Sequence, residues 1–206
     1  MYHGERLNSI SHLVGASLVL LGATLLISMA GLSGDTWKIF SCSIYCLSLV
    51  LLYVFSTLYH SLRGKAKAVL QKFDHCMIYL LIAGSYTPFT LVTLHGSTGW
   101  KLFSLEWGLA LIGIINEFFT NEARIASLVI YILMGWSVIF FIHPLIAALG
   151  WHGFYWLAAG GIIYTLGVIF YVIDERMKHA HGIWHLFVLG GSLCHFIAVM
   201  FYVVRA

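Results

Sequence analysis

Seven stretches of predominantly apolar residues, each long enough to cross roughly 30 Å of hydrocarbon as a helix, divide this chain of 206 residues. They run over residues 10–31, 37–61, 73–94, 100–119, 123–143, 151–173 and 182–204. A backbone in hydrocarbon must satisfy its own N–H and C=O groups, which leaves helices and closed barrels as the only spanning structures. The runs lack the two-residue alternation and the frequent turn residues of a membrane barrel. The expected fold is therefore all-α, an integral membrane protein built as a seven-transmembrane helix bundle. A hydrophobic share of 61% against 9% charged residues excludes an ordinary soluble surface. The gaps between runs are short and contain no Gly/Ser-rich or Pro-rich linker, so residues 1–206 read as a single membrane domain.

Lys and Arg set the orientation. With the N-terminus cytoplasmic, the inner segments hold Arg6, Arg63, Lys65, Lys67, Lys72, Arg124, Arg176 and Lys178, and the outer ones hold Lys38, Lys101 and Arg205. That asymmetry predicts a cytoplasmic N-terminus and an external C-terminus. The net charge of +3 then reflects topology rather than nucleic-acid binding, and the basic stretch at 63–72 faces anionic headgroups. The first apolar run is longer than a signal-peptide core and lacks a small-residue cleavage site behind it, so it reads as a retained helix. A multi-pass protein of the plasma membrane follows, the cytoplasmic membrane in a bacterium. Cys42, Cys46, Cys76 and Cys194 form no CxxC pair and read as buried free thiols.

Ionisable groups inside a membrane are costly and need a use. On the predicted topology His60 lies at the inner end of the second helix, and Asp74 lies at the inner start of the third. His181 and His185 occupy the first two turns of the seventh, four residues apart and so on one helical face. All four reach the cytoplasmic layer. Zinc takes neutral imidazole nitrogens at about 2.0–2.1 Å and in catalytic sites keeps one position open. His60, His181 and His185 would be its ligands. Asp74 would be a fourth ligand or, better suited, the general base beside a water that the metal acidifies. Ser56, one turn before His60, would hold that water or polarise a carbonyl oxygen.

Other readings stand beside these. An HxxxH pair arises by chance in a chain with eleven histidines. Ser56 can instead bond its own helix backbone one turn back. Glu5, Asn8 and His12 line one stripe of the first helix as groups supporting the metal ligands, though Glu5 and Asn8 can instead be helix-entry caps. Gly84, Pro88, Gly160, Gly161, Gly190 and Gly191 read as close-packing and kink positions, and Trp37, Trp100 and Trp151 as interface anchors.

Taken in order, Glu5-x-x-Asn8-x-x-x-His12, Ser56-x-x-x-His60, Asp74, the G-S-Y-T-P run from Gly84 to Pro88, and His181-x-x-x-His185 followed by His195 resemble the progestin and adiponectin Q receptor family. The short length resembles its bacterial haemolysin III branch. The resemblance covers nearly the whole chain. It implies that His60, His181 and His185 hold zinc near the cytoplasmic side and that Asp74 approaches it through water. The Ser, Asp and three-His set is also similar to that of membrane ceramidases, which implies a zinc-dependent hydrolase acting on an amide or ester of a membrane lipid. The chain has no long N-terminal domain of the kind the animal receptors carry. The alternative class is a non-enzymatic membrane-active or membrane-homeostasis protein with structural zinc. A transporter would call for inverted-repeat halves, which the chain lacks.

Overall fold

The computed structural model describes residues 1, 4–119 and 124–205. Among them the chain is helical, with no strand. The helices are α1 (Arg6–Ser33), α2 (Thr36–Ser61), α3 (Lys65–Pro88), α4 (Gly96–Phe119), α5 (Arg124–Trp136), α6 (Ile142–Val172) and α7 (Ala180–Val199). A π-helical turn at Phe89–Leu94 extends α3 beyond Pro88, a 3₁₀ segment at Ser137–Phe141 separates α5 from α6, and a second π-helical turn at Met200–Val204 continues α7.

Six continuous helical stretches among the described residues, not the expected seven, are long and apolar enough to cross a membrane. The difference lies in one stretch. Ile125–Val172 runs for 48 residues and takes in both the expected fifth and sixth helices; Ala123, the expected start of the fifth, lies outside the described residues. Two interruptions subdivide it without separating its ends in sequence. One is the 3₁₀ segment, and the other is Gly150, whose φ of 70° and ψ of 165° no helix contains.

Helix ends follow local chemistry. Gly34 closes α1 in the left-handed conformation at φ 68°, and Asp35 caps α2 by accepting from the backbone N–H groups of Trp37 at 2.7 Å and Lys38 at 3.2 Å. The α2–α3 connection is shorter than the sequence predicts. Residues 65–72 are mostly good helix formers (Lys, Ala, Leu, Gln), so helix begins right after Gly64, whose φ is 64°. Where α5 breaks, Tyr86 Oη donates to the carbonyls of Met134 and Gly135, both at 2.9 Å, and accepts from Val138 N at 3.3 Å. Ser137 Oγ donates to the fully buried Glu106 of α4 at 2.6 Å. Groups that a broken helix would leave unpaired in hydrocarbon are thus satisfied by its neighbours.

Large apolar side chains such as Leu21, Leu32 and Phe140 face outward, while Ser41, Ser48, Thr87 and Ser192 are buried. This is the arrangement of a bundle solvated by lipid, in which small residues let helices approach. At Gly84 an added Cβ would collide with the Ser48 side chain of α2, so α2 and α3 meet there without a gap. α2 packs between α1 and α3, α6 packs on α7, and α1 also contacts α7. Tyr53 of α2 and Tyr164 of α6 both bond Ser192 of α7, at 2.8 Å and 2.7 Å. All four cysteines are free and buried.

Candidate metal centre

The three histidines meet where the start of α7 closes on the end of α2. Their ring centroids form a nearly equilateral triangle, with His60–His181, His60–His185 and His181–His185 each 4.9 Å apart. One potential ligand atom from each lies within 4.8 Å of the others. Gly182 allows the approach, since a Cβ there would run into Leu7 and into Asn8 Oδ1, bringing α1 against the same turn of α7.

Each imidazole is held from outside through Nδ1. His60 Nδ1 bonds Glu5 Oε2 at 2.7 Å, His181 Nδ1 bonds Asp174 Oδ2 at 2.8 Å, and His185 Nδ1 bonds the backbone carbonyl of Asn8 at 3.0 Å, with Ser11 Oγ at 3.2 Å. An Nδ1–H given to a carboxylate or carbonyl leaves Nε2 as the lone-pair nitrogen, which fixes the tautomer a metal needs. His60 Nε2 is buried and has no hydrogen-bond partner among the described residues. Three imidazoles with their outer nitrogens engaged and, at His60, an unpaired inner nitrogen among the described residues fit a metal ion, and no thiolate belongs to the set.

Glu5 itself is tied further out. Lys67 Nζ donates to its Oε1 at 2.6 Å and Asn8 Nδ2 to its Oε2 at 2.7 Å. The hydrogen bond from His60 holds its carboxyl well below the usual carboxylate range, with help from Lys67 and against partial burial. Glu5 sits at the N-terminus of α1 but makes no side-chain bond to that helix's backbone, so its carboxylate serves His60 rather than capping. Ser9 Oγ adds a bond to the His60 carbonyl at 2.8 Å.

Ser56 and Asp74 are both buried and line a cleft that also takes in His181 and His185. Ser56 Oγ has no partner among the described residues, so it does not bond its own backbone. His12 stacks flat on His185, with ring centroids 3.6 Å apart, and bonds none of the three Nδ1 atoms; it also lines the cleft. Beyond this polar end the walls are mainly apolar, from Leu52, Ile78, Ile82, Val168 and Val188 among others. The cleft reaches His195, ten residues past His185 on α7, which is about 15 Å at the helical rise. Its free volume of about 120 Å³ is several times what one water needs.

Asp174 and Ser11 are site residues that the sequence predictions omit. An acidic residue in the short connection ahead of an HxxxH helix is the signal that points to Asp174. Residues 173–179 turn back through His179, whose φ is 67°, and that turn delivers Asp174 to His181. Ser11 gives no comparable signal, because serine is common in these helices.

A profile of the family described as Haemolysin-III related matches residues 1–196. The chain belongs to this family. Within the haemolysin III family it is 46% identical to Hemolysin-3 of Bacillus cereus over 202 residues, 97% of this chain and 92% of that protein. It is 43% identical to the Hemolysin-3 homolog of Bacillus subtilis (strain 168), over 98% of this chain and 95% of that one. Human monocyte to macrophage differentiation factor is 32% identical over 85% of this chain and 75% of its own length. These relatives bear out the resemblance to the progestin and adiponectin Q receptor family and its haemolysin III branch. With its apolar helices, this haemolysin III family member is a multi-pass protein of the plasma membrane.

Proposed function

We propose that the chain is a zinc-dependent hydrolase that cleaves an amide or ester of a membrane lipid. The observation that carries this reading is the mainly apolar cleft lined by His181 and His185 of the three-histidine cluster together with Asp74 and Ser56. A lipid fits that shape, with its polar linkage at the histidine end and its chain along the apolar walls. Three imidazoles without thiolate suit zinc among the common metals. Zinc held there would polarise a carbonyl and acidify a water.

The protein's own groups divide the remaining work. His60, His181 and His185 would hold the ion, and Glu5, Asp174 and the Asn8 carbonyl keep the rings aimed. Asp74 takes the proton of the attacking water on its carboxylate and returns it to the leaving amine or alcohol. Ser56 Oγ, without a partner among the described residues, donates to the carbonyl oxygen as charge develops on it. The apolar walls exclude bulk water from the linkage.

We further propose seven crossings, with the N-terminus cytoplasmic and the C-terminus outside. A straight helix of 48 residues would extend about 70 Å, more than twice the hydrocarbon thickness. The kink at Gly150 supports two passes within that stretch, and the excess of Lys and Arg in the inner segments supports the orientation.

Asp74→Asn tests the hydrolase directly. With zinc content retained, lipid amide hydrolysis should fall by roughly a hundredfold or more; an unchanged rate contradicts the reading. The name Hemolysin-3 carried by the Bacillus cereus relative favours a second reading, a membrane-active protein in which the metal only braces helices. Liposome leakage that survives His185→Ala would support that one instead.

A further inference from the structure

His12 is buried, and neither of its ring nitrogens has a hydrogen-bond partner among the described residues. That sets it apart from the other histidines around the metal centre. His60, His181 and His185 each give Nδ1 to an oxygen, and His12 bonds none of these groups. A neutral imidazole carries one N–H and one lone pair, and leaving both unpaired away from water is unfavourable. Such a side chain takes its partner from water or from a ligand that enters the cleft beside it.

Its position says what that is. The His12 ring lies parallel to that of His185, at an interplanar angle of 9° and a centroid separation of 3.6 Å, and meets the Tyr53 ring edge-on at 4.9 Å. At that separation two imidazoles overlap face to face, in nearly parallel planes. His12 also lines the cleft beside Ser56 and Asp74. A group that enters the cleft beside His185 therefore meets the His12 ring stacked on it.

We propose that His12 is a substrate-binding residue, a hydrogen-bonding group for the oxygen-bearing head of the ligand, such as the carbonyl of an acyl amide or ester, and not a support for the metal ligands. This rests on the reading of the three histidines as a zinc centre and adds a direct contact to it. The chemical class recognised is an acyl group whose carbonyl oxygen accepts from the His12 N–H while its chain lies along the cleft. Ser56 Oγ, also unpaired, faces the same cleft and completes a two-point grip.

A long-chain alkyl hydroxamate, which presents a carbonyl and an N–O oxygen to zinc, probes this without any turnover. Zinc-loaded wild type and His12→Phe are titrated in detergent by calorimetry, with zinc content measured on the same samples. Phenylalanine keeps a ring stacked against His185 and Tyr53 and removes both nitrogens. Zinc content should stay at the wild-type level while hydroxamate binding weakens by roughly tenfold. His12→Gln, which keeps a donor and an acceptor, should recover most of that loss. In the wild type, selective nitrogen labelling of histidine should show the His12 ring signals moving when hydroxamate is added, which keeps the question answerable if the phenylalanine variant does not fold.

Equal hydroxamate affinity in wild type and His12→Phe overturns the proposal, as do unmoved His12 signals. Loss of zinc together with hydroxamate binding in His12→Phe also overturns it, because His12 would then act through the metal ligands. Failure of the hydrolase reading looks different: hydroxamate binds as proposed and no lipid amide is cleaved.

Discussion

Glu5 Oε2 lies 2.7 Å from His60 Nδ1 although 55 residues separate the two in the chain. That bond joins the first turn of α1 to the last turn of α2, and Asn8 extends the link to α7 through its carbonyl on His185. The N-terminal turns of α1 are thus the outer clamp on two of the three histidines. Asp174 holds the third.

Loosening the clamp should weaken metal binding without emptying the fold. Glu5→Gln and Asp174→Asn should each lower zinc affinity by about 10- to 100-fold, read by competition with a chromogenic chelator. Lys67→Met, one contact further out through Glu5 Oε1, should give a smaller loss in the same direction. Unchanged affinity in all three would mean the outer bonds do not orient the ligands.

How far this centre was legible in the sequence depends on the kind of signal. His60, His181 and His185 stood out because imidazoles are expensive in hydrocarbon and two of them shared a helical face. Glu5 and Asn8 were visible as a stripe, but a stripe at a helix start has two meanings. Only the absence of a bond from the Glu5 side chain to the backbone of its own helix separates a cap from a ligand support. Asp174 was hidden because its contact with His181 depends on the turn at His179, and the conformation of a single non-glycine residue is not written in hydropathy. His12 was grouped with the supports; it lines the cleft and stacks on His185, and neither of its ring nitrogens has a partner among the described residues.

The helices were legible for a plainer reason, since apolar runs longer than 18 residues have few alternatives in a membrane protein. Their ends were less so. Hydropathy dropped the first two turns of α3, because Lys65, Lys67 and Lys72 lower the local average while leaving the helix intact. It divided the stretch from Ile125 to Val172 by counting lengths, where the chain itself shows a helical path interrupted at Ser137–Phe141 and at Gly150.

Close packing at Gly84 should be testable by one methyl group. Gly84→Ala places a Cβ against the buried Ser48 side chain and should destabilise the bundle by about 1–3 kcal/mol, seen as a lower thermal unfolding midpoint in detergent. Gly108→Ala, where an added Cβ meets nothing within 4 Å, should leave the midpoint unchanged or raise it slightly. Equal effects at the two positions would contradict the contact between α2 and α3.

The proposed topology predicts where reporters will work. Alkaline phosphatase fused after Arg205 should be active because it is exported, and the same enzyme fused after Arg63 should be inactive. An inactive fusion at Arg205 would mean an even number of crossings.

Metal content decides the central claim. Protein purified in detergent without chelators, analysed by elemental mass spectrometry, should carry about one zinc per chain, the occupancy expected of a single three-histidine site. The double variant His181→Ala with His185→Ala should lose it while keeping its helical circular dichroism. Wild-type protein without zinc, or a double variant that retains it, would contradict the account.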